Sequence, residues 1–183
     1  MILYEFEMTT KEIKNDRKTN ALQEVYLKII HSLVNIDGIF DHGAATQYGL
    51  LNYIARYSLA NDTYYISKLA RSLVVGKEPF ARKKSFPKSS KTDPVRTFTF
   101  EHPIPVNQIR NFMLKTDLSM KSIRQILEDT NYVVVLTQSE NESIKLKTKM
   151  PGIWKIGDDP FIRYKNTKIV LDGTVELKGA IVR

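Results

Sequence analysis

The stretch TFTFEHPIPVNQIR, residues 97–110, decides how the rest of the chain is read. Thr97 to Phe100 alternates β-branched and aromatic residues, which is the pattern of a short strand. It delivers Glu101 and His102 side by side, and Pro103 and Pro105 then fix the backbone just beyond them. From Val106 to Lys115 the pattern turns helical. An acid and an imidazole at the end of a strand have two readings. One is an ordinary strand terminus, the other half of a metal-dependent hydrolytic site, and the choice depends on what the flanking sequence supplies.

Immediately upstream lies KEPFARKKSFPKSSKTDPVR, residues 77–96. Lys77, Arg82, Lys83, Lys84, Lys88, Lys91 and Arg96 stand there against only Glu78 and Asp93, so this segment carries most of the excess positive charge. Pro79, Pro87 and Pro94 forbid a continuous helix. A solvated linker would have this composition. So would an arm that contacts phosphates through Lys83, Lys84, Lys88, Lys91 and Arg96, with Phe80 and Phe86 available to stack on bases or to anchor the loop. Its position directly before Glu101–His102 favours the arm.

Residues 1–76 read as a helical part. Ile2, Tyr4, Phe6 and Met8 alternate as in an edge strand. Leu22, Val25, Tyr26, Ile29, Ile30 and Leu33 then follow helical spacing, as do Tyr48, Leu51, Ile54, Ala55 and Leu59 after Gly43. A third stripe, Ile66, Leu69, Ala70, Leu73 and Val74, follows Asp62, which reads as its N-cap. On the other side, Ser119 is placed to cap a helix running to Asp129, and NYVVVLT, residues 131–137, is a buried strand. TQSENESIKLK then opens a short helix, where Thr137 and Glu140 have the spacing of a capping box. KIVLDGTVEL predicts a hairpin turning at Asp172–Gly173.

Composition bounds the function. The chain has 183 residues, 28 basic against 20 acidic, a formal charge of +8 and a pI near 9.5. That balance favours a polyanionic partner, above all nucleic acid. There is no cysteine, which excludes disulfides, thiolate metal sites and cysteine nucleophiles. No apolar run reaches membrane-span length, and Met1 to Met8 lacks a basic leader, so a cytoplasmic protein away from membranes is expected. A homodimer is compatible with all of this.

The order strand, Glu101–His102, proline-bounded turn, second strand and short polar helix resembles the HNH endonuclease family, whose core is a ββα-metal finger. That family writes D-H-[IV]-x-P at its first strand, where this chain has Glu101-His102-Pro103-Ile104-Pro105. It writes V-L-T-x-S-x-x-N at the second, where this chain has Val135-Leu136-Thr137-Gln138-Ser139-Glu140-Asn141-Glu142, with Lys145 beyond. The resemblance implies an α+β protein: a helical part (1–76), a basic arm (77–96) and a ββα-metal-like nuclease part (97–183) with a terminal β-hairpin, or all three in one compact domain. It implies a Mg²⁺-dependent endonuclease, or one using another divalent cation, that hydrolyses double-stranded DNA as restriction or phage enzymes do. His102 would be the general base, Glu101 a metal ligand, Asn141 or Glu142 the second ligand, and Lys145 a phosphate contact. Neutral imidazole suits water activation, and a hard cation with oxygen ligands suits the leaving group. Glu101 replaces the family's Asp, and Glu142 stands where its Asn is expected, with Asn141 one position early. Two readings of other classes stay open: a non-catalytic nucleic-acid-binding protein, such as a repressor or accessory subunit, and an RNA-cleaving toxin that uses His102 without metal.

Other residues read as structure. His31 lies within the first helical stripe, and His42 in a turn before the second. Asp158–Asp159 before Pro160 reads as a turn ahead of a metal site, and Trp154, Phe161 and Tyr164, near Arg163, read as core ahead of a surface that stacks on nucleic acid. Glu176-Leu177-Lys178 has the ExK spacing of another nuclease class, but the helix and strand that class needs do not follow.

Overall fold

The computed structural model describes residues 20–38, 44–81 and 98–178. The alternating run from Ile2 to Met8, His42 and the arm from Arg82 to Arg96, with Lys83, Lys84, Lys88 and Lys91, lie outside the described residues. Helix α1, Ala21–Val34, starts at Asn20, whose side chain accepts from the Gln23 amide while Gln23 reaches back to the Asn20 amide. It packs on α2, Ala44–Leu59. Their buried stripes, Leu27 and Ile30 with Leu50, Ile54 and Tyr57, join Ile109 and Met113 of α4 (Val106–Met113) and Ile123 and Leu127 of α5 (Met120–Asp129) in a helical core. Ser119 caps α5 through the Ser122 amide, as its sequence predicts.

The third stripe is not one helix. It divides at Ser67 into strand β1, Thr63–Ser67, and helix α3, Lys68–Leu73. Ser67, rather than Asp62, is the cap, accepting from the Ala70 amide. Tyr64, Tyr65 and Ile66 are all buried, as they must be in a strand covered on both faces. Residues 1–76 are therefore not wholly helical.

β1 lies at the centre of a mixed sheet ordered β2 (Phe80–Ala81), β5 (Leu171–Lys178), β1, β4 (Val134–Thr137), β3 (Phe98–Glu101). It runs parallel to β4 and antiparallel to β5, while β3 is antiparallel to β4 with Glu101 opposite Val134 and Phe98 opposite Thr137. Strands from both sides of the basic segment thus share one sheet, and the protein is α+β. Successive residues serve opposite faces. Tyr64, Ile66, Val133 and Val135 pack one way, and Tyr65, Val134 and Leu136 pack the other against Phe161 and Tyr164.

The terminal hairpin predicted at Asp172–Gly173 is absent. β5 passes through both residues as one strand with an irregularity in register: Tyr65 pairs with Thr174 and Ser67 with Leu171, which leaves one extra residue on β5. Gly173, at φ 71°, supplies the left-handed conformation of a bulge there, not of a turn. Phe80–Ala81, at the start of the basic segment, pairs with β5 and is not part of a free arm. No helix among the described residues is long and apolar enough to cross a membrane.

Candidate active site

β3 and β4 form an antiparallel pair, and α6, Gln138–Ser143, follows β4 without a loop. Thr137 makes that abrupt change possible. Its hydroxyl accepts from the Glu140 amide, and the Glu140 carboxylate accepts from the Thr137 amide, so the predicted capping box is present. The same Glu140 oxygen accepts from Ser67 Oγ at 2.7 Å, which ties the caps of α3 and α6 together. Glu140 is thereby a structural carboxylate.

Beside this unit a cleft of about 350 Å³ opens between β3, the turn into α4, Leu51 of α2, α6 and the segment after α6. Glu101, His102 and Asn141 line it together, with Lys147, Asn107 and Thr99. Glu142 does not. It is exposed and accepts from Gln138 Nε2 at 2.7 Å along the outer side of α6. Lys145 is exposed and outside the lining, and Lys147 stands there instead.

The His102 Nε2 lies 3.3 Å from the Ala55 carbonyl of α2. A carbonyl oxygen only accepts, so Nε2 carries the hydrogen and the lone pair is on Nδ1. Burial lowers the imidazole pKa to about 4, against a small opposing effect of the Ala55 bond. The ring is half-buried by surface area, yet its packing is close enough to keep it neutral at physiological pH.

Glu101 Oε1 lies 3.0 Å from Arg163 Nη1. Burial pushes its carboxyl up to about 7, although Arg163, and more weakly Lys147, pull the other way. Arg163 comes from a 3-10 turn, Ile162–Tyr164, and its side chain is fully buried. It donates to four carbonyls: Leu146 at 2.6 Å, Lys147 at 3.1 Å, His102 at 3.0 Å and Pro103 at 2.9 Å. Trp154, Phe161 and Tyr164 are core residues, as their sequence predicts. The Tyr164 hydroxyl is buried with no hydrogen-bond partner among the described residues. Burial first, and the Glu101 charge second, raise its pKa.

Sequence reasoning singled out Glu101, His102 and Asn141, which share the cleft, and gave no part to Lys147 in its lining or to Arg163 behind it. An arginine between two core aromatics was visible, but the carbonyls it serves come from distant parts of the chain. As a Mg²⁺ site the cleft offers one carboxylate, with one oxygen held by Arg163, and the Asn141 amide. No group of three His, Asp or Glu suited to a metal occurs among the described residues. Such a set fits Mg²⁺ that keeps its waters and arrives with a phosphate, as that ion commonly does, better than an ion caged by protein alone. No family model matches the chain, and no curated protein or solved structure matches it at a significant level.

Proposed function

We propose that the chain is a nuclease that hydrolyses phosphodiester bonds of DNA in this cleft, in the manner of the HNH family it resembles. One observation carries the reading: β3, β4 and α6 gather Glu101, His102 and Asn141, from two separate stretches of sequence, around one opening. His102 takes the proton of the attacking water at Nδ1, with the ring oriented by the Ala55 carbonyl. A pKa near 4 makes the free imidazole a weak base, and an incoming phosphate corrects this by favouring the imidazolium. Lys147 meets the phosphate as a point charge. When bound, Mg²⁺ would be held by Glu101 and Asn141 and would neutralise charge on the leaving oxygen. The excess of basic residues supports a nucleic-acid substrate.

The non-catalytic alternative draws on the Glu101–Arg163 pair, which gives Glu101 a sufficient structural reason to exist. Plasmid DNA and single-stranded RNA, each with Mg²⁺ and with EDTA, separate the readings. The nuclease predicts DNA cleavage in Mg²⁺ that His102→Ala abolishes while binding persists. Cleavage by that variant at the wild-type rate sinks the proposal. Binding without cleavage selects the binder, and RNA cleavage in EDTA selects the metal-free toxin.

A further inference from the structure

Helix α6 borders two cavities. Asn141 lines the cleft described above, while Ser139, Glu140 and Ser143 line a second cavity of about 860 Å³. That volume lies within the range of small-molecule sites, roughly 300–1,000 Å³. Its other walls are α3, through Lys68, Leu69 and Ser72, and the stretch from Asn166 to Val170 that leads into β5. The walls are tied to one another: Ser67 Oγ donates to Glu140 at 2.7 Å, and the Lys68 amide donates to the Val170 carbonyl at 2.8 Å.

Three kinds of group meet there. Lys68 and Lys168 are exposed in the lining and make no ion pair among the described residues. Glu140 is the one carboxylate in the lining among the described residues. Its Oε2 accepts from Ser67 Oγ, the Thr137 amide and Thr137 Oγ1 at 2.7, 2.9 and 3.0 Å. Its Oε1 accepts from no described group, although the residue is only 8% exposed. Ser72 and Ser143 donate to carbonyls of their own helices, Leu69 at 2.7 Å and Glu140 at 2.6 Å, and so present only lone pairs to the cavity. Leu69 and Val170 add two exposed apolar side chains.

We propose that this cavity is a second ligand site, made for a nucleoside phosphate. The phosphate meets Lys68 and Lys168, donors of the sugar and base meet Glu140 Oε1 and the two serine hydroxyls, and the ring lies on Leu69 and Val170. The site does not depend on the nuclease reading. Simpler ligands each leave part of the lining unused. An inorganic anion would engage the ammonium groups and leave the buried Glu140 oxygen unpaired, which is costly. A sugar phosphate brings donors but no flat ring for Leu69 and Val170, and a hydrocarbon tail brings no donor at all. Two ammonium groups against one carboxylate leave the cavity positive, in keeping with the +8 of the whole chain. The same chemistry comes from a free nucleotide or from one nucleotide of a strand.

The test uses the full chain at fixed pH in EDTA, so that neither metal nor cleavage contributes. The probes are AMP, GMP, CMP and UMP, with inorganic phosphate and ribose 5-phosphate as controls, read by calorimetry and by backbone amide spectra. At least one nucleotide is expected to bind and to shift the amides of Lys68, Ser139 and Lys168, while those of His102 and Lys147 stay in place. The double variant Lys68→Ala/Lys168→Ala is expected to weaken that binding about tenfold or more, as the loss of two charge-assisted contacts predicts. Glu140→Gln keeps the capping box, in which glutamine also serves. The donors on Oε2 hold its amide oxygen in place and turn its amino group to the cavity, so nucleotide affinity should fall while that of inorganic phosphate does not. Unmoved amides at Lys68, Ser139 and Lys168 with all of these nucleotides, or full affinity in the double lysine variant, overturn the inference even if Glu140→Gln does not fold. Inorganic phosphate or ribose 5-phosphate that binds as tightly as the nucleotides overturns it as well. Shifts confined to His102 and Lys147 overturn it and leave the nuclease reading standing, whereas a protein that binds nucleotides here and cuts no DNA sinks the nuclease reading alone. A short single-stranded oligonucleotide then identifies the source: tighter binding than the free nucleotide assigns the site to a strand, and weaker binding assigns it to a free ligand.

Discussion

Glu101 and His102 are consecutive residues held in different directions, the carboxylate by Arg163 Nη1 at 3.0 Å and the imidazole by the Ala55 carbonyl at 3.3 Å. Burial disfavours the charge on each. The carboxyl rises from 4.5 to about 7, and the imidazole falls from 6.5 to about 4. In the shared window from 4.5 to 6.5, the unfolded chain keeps the pair's proton on the imidazole and the folded chain keeps it on the carboxyl.

Folding therefore moves a proton between neighbours with no net uptake, and the two pH dependences of stability cancel there. Single variants should expose them. In Glu101→Gln only His102 remains. Its unfolded state binds more protons between about pH 4 and 6.5, so stability should rise with pH across that range. In His102→Asn only Glu101 remains. Its folded state binds more protons between 4.5 and about 7, so stability should fall as pH rises. Each limb is expected to span up to about 3 kcal/mol in urea titrations. Flat profiles in both variants would refute the assignment.

Removing both members of the Glu101–Arg163 pair should cost less than the two single losses added together. At pH 8, Glu101→Ala strands a fully buried guanidinium and is expected to lose about 3–5 kcal/mol. The double variant Glu101→Ala/Arg163→Met should lose less than the sum of the singles, because no isolated charge is left inside. Additive losses in the double-mutant cycle would show that the pair is not coupled.

Tyr164→Phe deletes a buried hydroxyl with no partner among the described residues. The change should be neutral or stabilising by up to about 1 kcal/mol. A loss above about 2 kcal/mol in thermal or urea unfolding would mean that the hydroxyl is satisfied in solution.

Lys147→Ala should weaken DNA binding and lower the salt slope by about 0.9, the value of one phosphate contact, whereas Lys145→Ala should change it less. Equal slopes for the two variants would remove Lys147 from the substrate path. Replacing Lys83, Lys84 and Lys88 together by Ala tests the basic segment in the same way. An unchanged slope would make it a linker.

The elements that obey local rules were legible in the sequence. α5 and α6 announce themselves by caps at Ser119 and Thr137, and β4 by its run of valines. β1 was hidden because Ile66, Leu69, Ala70 and Leu73 keep helical spacing across a strand–helix junction. Only its place between β4 and β5 makes TYYIS a strand. Asp172–Gly173 could serve a turn or a bulge equally well, since both use the left-handed glycine. Glu101–His102 and Asn141 were legible through their order along the chain. Arg163 was not, because its partners are backbone carbonyls, which every residue type supplies.

The central strand has a consequence for how the molecule assembles. β1 is complete in the chain long before either neighbour, since β4 begins at Val134 and β5 at Leu171. Closing such long loops costs entropy before any strand pairing repays it, so the sheet should form late and slowly, after α1 and α2 have met through local contacts. During synthesis, Tyr64, Tyr65 and Ile66 would wait uncovered with both faces apolar, which is the state in which a nascent chain aggregates or recruits a chaperone.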